Sequence, residues 1–117
     1  MHEMTLAVNV VEEVERSLAG LDDRARVMTV TLEVGGLRAV VPEALSFCFE
    51  VASSGTRVEG ACLNIKEIPV EVRCDRCDRQ WVVRELEFLC PDCEGAVKVL
   101  SGKELLLRAI EVDDGTD

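Results

Sequence analysis

A chain of 117 residues is the length of one domain, or of one domain carrying a small satellite. A hydrophobic fraction of 48% and a mean hydropathy of +0.14 exclude a disordered chain; with 3% aromatic residues, the core must come from Val, Leu, Ile and Ala. The formal net charge of -10 argues against a nucleic-acid partner, whose phosphates demand a basic face.

Along the chain, Glu3 to about Leu18 reads as an amphipathic helix. Ala7, Val10, Val11, Val14 and Leu18 recur at helical spacing, Glu12, Glu13, Glu15 and Arg16 take the other face, and Gly20 is the expected stop. Met28, Val30, Leu32 and Val34 then alternate with Thr29, Thr31 and Glu33, which predicts a strand with one buried face, ended by Gly35-Gly36. Pro42 suits the first turn of a second helix, with Leu45, Phe49 and Ala52 on one side, Cys48 beside them and Gly55 closing it. Ala61 to Arg73 is expected to be extended, with Leu63, Ile65, Val70 and Val72, and Pro69 breaks or edges it. After the cysteine-rich stretch come Val97 to Leu100, a Ser101-Gly102 turn, and a last strand from about Glu104 to Val112. The acidic tail 113–117 is expected to fray.

This order predicts an α+β fold: a small mixed three-stranded sheet packed on two helices, with an inserted zinc-ribbon module. The expected division is residues 1–73 and 98–117 in the α/β domain and 74–97 in the insertion. No basic leader followed by an apolar stretch opens the chain, and no run of about 18 apolar residues occurs, so neither a signal peptide nor a membrane span is expected. Cytoplasmic residence follows, with reduced thiols.

The insertion carries the strongest motif, Cys74-x2-Cys77, twelve residues, then Cys90-x2-Cys93. Two such pairs face to face give a closed four-thiolate tetrahedral site, which suits structural Zn(II). All four positions are filled, so a catalytic zinc hydrolase is the least favoured reading. Iron in the same cage would give an electron carrier, which a red colour would reveal. Roughly twenty residues bury too little apolar surface to fold alone, and a zinc ion would supply the difference. Trp81, Val82, Val83, Leu86, Phe88 and Leu89 are expected to form a hairpin over the site, and Gly95 to supply a left-handed turn after Cys93. Arg76, Arg79 and Arg84 against Asp75, Asp78, Glu85, Glu87, Asp92 and Glu94 leave the module acidic, so it is unsuited to gripping DNA or RNA. Cys48 and Cys62 are expected to be core residues.

His2 is the single histidine. An N-terminal histidine is commonly a frayed surface residue. Here, however, the Met1 amine, the His2 amide and imidazole nitrogens, and Glu3 lie in one chelating stretch. Met1 should be retained, because its removal requires a small second residue. Nitrogen-rich, planar ligation suits Ni(II) or Cu(II).

Met1-His2-Glu3 at a helix start, Pro42-Glu43-Ala44-Leu45, the two spaced cysteine pairs, and Ser101-Gly102-Lys103-Glu104-Leu105 through Ile110-Glu111-Val112 together resemble the HypA/HybF hydrogenase maturation factors. The resemblance implies a nickel metallochaperone, not an enzyme. It implies an α/β nickel domain with Ni(II) as cargo at His2, Glu3 and Met1. It also implies a structural Zn(II) on Cys74, Cys77, Cys90 and Cys93. The implied partners are a HypB-type GTPase and the [NiFe]-hydrogenase large-subunit precursor, with urease maturation proteins served in some organisms; the state is monomer or homodimer. Some relatives place an acidic residue near the second helix start; here Val41 stands there, with Glu43 further along. Some carry histidines beside the zinc cysteines; this chain has none there, so its zinc site is expected to be all-cysteine and insensitive to pH. The alternative is a zinc-ribbon protein-protein adaptor without a metal-delivery role.

Overall fold

The computed structural model describes residues 2–83 and 89–113. Met1, the acidic tail beyond Asp113, and Leu86 and Phe88 of the expected hairpin lie outside the described residues. The chain runs α1 (Glu3–Ser17), β1 (Arg26–Gly35), a 3-10 turn (Gly36–Arg38), α2 (Pro42–Ser53), β2 (Cys62–Ile68), β3 (Glu71–Cys74), β4 (Gln80–Val82), β5 (Val97–Ser101) and β6 (Leu105–Asp113).

The first sheet has the order β2-β1-β6, and it is mixed: β1 pairs parallel with β2 and antiparallel with β6. The two helices cover one of its faces. Leu6, Ala7, Val10, Val11 and Val14 from α1, Leu18 at its C-cap, and Leu45 and Phe49 from α2 bury against Val27, Val30, Leu32 and Val34 of β1. Full burial of each such side chain contributes about 1.5–3 kcal/mol, so this layer holds the apolar core. The mixed sheet on two helices is the expected α+β arrangement.

One expectation in β1 fails. Met28 is 56% exposed, while its neighbour Val27 is 4% exposed. The pairing with β6 shifts between Val27 and Thr29, so Met28 is the extra residue of a bulge. A bulge resets the two-residue alternation, which turns Met28 outward and Val27 into the core.

The extended stretch after Ala61 is two strands in two sheets. Pro69 has no N–H for a ladder, and β2 stops one residue before it. Beyond it β3 is the centre of a second sheet, ordered β4-β3-β5. This sheet buries little: Val72, Cys74 and Cys90 are its buried residues among those described.

Backbone contacts tie the sheets together where the chain crosses between them. The Gly35 N–H donates to the Glu104 carbonyl at 2.7 Å and the Leu37 N–H to the Gly102 carbonyl at 2.8 Å. Ser101 Oγ donates to the Pro69 carbonyl at 2.9 Å. Gly35 and Gly102 are both required here: a Cβ on Gly35 would lie 2.1 Å from the Gly102 carbonyl carbon, and Gly102 itself has φ 110°.

Candidate metal centres

Cys74 ends β3, and Cys77 lies three residues on, in the turn that leads to β4. Cys90 and Cys93 occupy a second turn before β5. That turn is closed by the Cys90 N–H on the Gly95 carbonyl at 3.1 Å and the Glu94 N–H on the Cys90 carbonyl at 2.8 Å. The four sulfurs lie within 4.8 Å of one another. Cys74 and Cys93 approach to 3.4 Å, Cys77 and Cys90 to 3.6 Å. A disulfide needs about 2.05 Å, whereas sulfurs at the corners of a tetrahedron with bonds of about 2.3 Å stand roughly 3.8 Å apart. The spacing therefore fits a metal cage rather than a cross-link.

The backbone prepares the thiols for that role. The Cys77 N–H, and after it the Arg76 N–H at 3.4 Å, point at the Cys74 sulfur and bring its pKa down to about 7. The Arg79 N–H pulls on Cys77 in the same sense, but proton sharing with Cys90 and Cys74 outweighs it and pushes that thiol up to about 12. Cys93 receives the Gly95 N–H, yet Cys74 beside it leaves it raised. Four thiols this close cannot all ionise unless a cation neutralises them.

Two local expectations change. The left-handed residue after Cys93 is Glu94, with φ 57°, and Asp78 after Cys77 matches it at φ 61°. Gly95 is there for space instead: an added Cβ would lie 2.9 Å from Arg76 Cδ and 3.2 Å from the Cys93 sulfur. A link that spacing did not suggest joins the two turns, Arg79 Nη1 to Asp92 Oδ2 at 2.7 Å. Of the other cysteines, Cys48 is partly buried against the core, but Cys62 is exposed on β2 and is not a core residue.

At the other end of the chain, His2 is the N-cap of α1 and is exposed. Its carbonyl accepts the Leu6 N–H at 3.2 Å, and its side chain makes no capping hydrogen bond. Glu3 is half-buried. Its Oε2 accepts the Val41 N–H at 3.3 Å, and the Val41 N–H, with its own N–H, holds the carboxyl below the usual range. Thus Val41 meets Glu3 through its backbone N–H. Val41 is the N-cap of α2, and the first N–H groups of a helix have no partner within it, so the Glu3 carboxylate satisfies one that the helix leaves open. Among the described residues, the four cysteines are the one cluster of three or more potential ligand side chains. His2 and Glu3 gather no third side chain, and Met1 lies outside the described residues.

Residues 1–112 match the family model described as "HypA: Hydrogenase/urease nickel incorporation, metallochaperone, hypA". The chain is 45% identical over 117 residues to the hydrogenase maturation factor HypA of Streptomyces avermitilis, covering 98% of this chain and 89% of that one. It is 42% identical over 114 residues to the same factor of Geobacter sulfurreducens, covering 97% and 100%. The solution structure of the Ni metallochaperone HypA from Helicobacter pylori shares the fold, with a TM-score of 0.65 at 23% identity over 95% of this chain and 97% of that one. The nearly full-length match and the four-cysteine centre place this chain in the HypA family of hydrogenase/urease nickel-incorporation metallochaperones.

Proposed function

We propose that the chain binds Ni(II) through Met1, His2 and Glu3 and helps deliver it to the [NiFe]-hydrogenase large subunit during maturation. The observation that carries this reading is the exposed imidazole of the only histidine at the N-cap of α1, directly before Glu3, in a chain of a nickel-incorporation family. N-cap and first-turn amides have no partner within the helix, so amide nitrogens adjoin the imidazole. The Glu3 carboxylate is occupied by Val41, which favours nitrogen from this residue over carboxylate oxygen. An exposed site on the first residues suits a cargo that must be handed on.

Zn(II) is the proposed occupant of Cys74, Cys77, Cys90 and Cys93. Thiolate sulfur selects zinc over harder cations, and the ion would hold the second sheet together. Strand pairing suggests that the inserted unit extends from about residue 69 to 102, with 74–97 as its ligand-bearing part. The proposed partners are a HypB-type GTPase, the large-subunit precursor and, in some settings, urease maturation proteins. The proposed setting is the cytoplasm, as monomer or homodimer. No catalytic role is proposed.

X-ray absorption at the zinc edge from acid to neutral pH tests the division of labour. The expected result is four-sulfur scattering at the zinc edge throughout, and, at the nickel edge after nickel is added, a separate nitrogen-rich site. A chain that takes up zinc but no specific nickel would be an adaptor instead.

A further inference from the structure

Among the described residues, β6 is an outer strand of the first sheet and pairs with β1 alone, while β5 pairs with β3 in the second sheet, with Leu89 bridged to Ala96 just before β5 begins. The two strands are joined by residues Gly102 to Glu104, so the outer edge of β6 begins at the junction of the sheets. A free edge offers unpaired N–H and C=O groups at strand spacing and is a template for another extended chain. A groove of about 430 Å³ lies at this point, lined by Arg38 and Lys103 and by Val99, Leu100, Leu105 and Leu106. Leu100 is 43% exposed and Leu106 50%.

The groove's charge opposes that of the molecule. The chain carries a net charge of -10, yet among its described residues this groove sets two cations, Arg38 and Lys103, against one carboxylate, Glu104. Arg38 Nε donates to the Lys103 carbonyl at 2.8 Å, which fixes the guanidinium at the junction. Neither Arg38 nor Lys103 has an ion-pair partner among the described residues. Glu104 also lines the groove, but its Oε1 accepts the Gly102 N–H at 2.6 Å. A carboxylate approaching this acidic chain is repelled over most of its surface and finds paired cation donors here.

We propose that this groove receives an extended acidic segment of a partner protein. The segment's main chain pairs with the outer edge of β6. Its alternate apolar side chains lie on Leu100 and Leu106, and a carboxylate between them reaches Arg38 and Lys103. Because β5 and β6 belong to different sheets, an occupied groove also braces the two sheets against each other.

The test uses the zinc-loaded, nickel-free full chain, so its outcome is independent of the nickel site. The 15N-labelled protein is titrated with an acetylated, amidated heptapeptide alternating valine and glutamate, and with the same peptide carrying glutamine. The expected result is amide shifts confined to residues 98–106 and neighbours of Arg38. Binding should weaken roughly fivefold for the glutamine peptide and for Lys103→Gln, the scale of an exposed ion pair. Unchanged α1 amides would show that Lys103→Gln is folded. The proposal is overturned by no shifts, by shifts elsewhere, or by equal binding of the two peptides. It is also overturned if the same amides are already covered by self-association of the chain without peptide.

Discussion

Asp78 and Glu94 hold the same place in the two cysteine turns, one residue past the second thiol, and both have left-handed backbones. Asp tolerates that region because its short side chain can bond locally; Glu does not, and the strain costs on the order of 1 kcal/mol. Glu94→Gly should therefore stabilise the metal-loaded module by up to about 0.5 kcal/mol, after allowing for the extra freedom of unfolded glycine. Slower zinc loss to a chelator would show it; faster loss would place the strain elsewhere. The clustering of the four cysteines was legible in the sequence, because two short Cys-x2-Cys loops brought together gather four sulfurs and the spacing displays them. The left-handed positions were not. Gly95 is the natural candidate by residue type, but it serves the close approach of Arg76. The Glu3–Val41 bond spans 38 residues, so no local pattern could reveal it.

At the level of elements, the helices were readable nearly to their ends, since both pack one apolar stripe on a sheet. β1 was readable except at Met28, where the bulge breaks the period on which the reading depends. The segment after Ala61 looked like one strand because its apolar residues continue past Pro69; only the pairing shows that the sheet changes there. That change rests on Gly35 and Gly102. Gly35→Ala would push a methyl group into the Gly102 carbonyl, and we expect a loss of at least about 2 kcal/mol in urea unfolding. Gly20→Ala is the comparison: Gly20 has φ 87° with nothing within 4 Å, so only backbone strain of about 1 kcal/mol applies. If both variants lose the same stability, the close packing at the junction has no energetic weight.

On the scale of the whole molecule, the two sheets are held by different physics. The first has a continuous apolar core; the second has Val72 and two buried cysteines among its described residues. With Zn(II) as the proposed occupant of the four-cysteine site, its chelation should abolish the dispersed amide signals of β3, β4 and β5 while α1, α2 and β1 remain folded. Collapse of both together would mean that the first sheet depends on the second. The cysteines thus account for a module, while the proposed cargo site lies on the first residues of α1, within the other sheet's layer. Calorimetric nickel titration of untagged, zinc-loaded protein and of its His2→Ala variant tests this most directly. The account predicts roughly micromolar nickel binding, near -8 kcal/mol, for the native chain. It predicts at least about tenfold weaker binding for His2→Ala, with zinc content unchanged. Equal nickel affinity in the two proteins would contradict it.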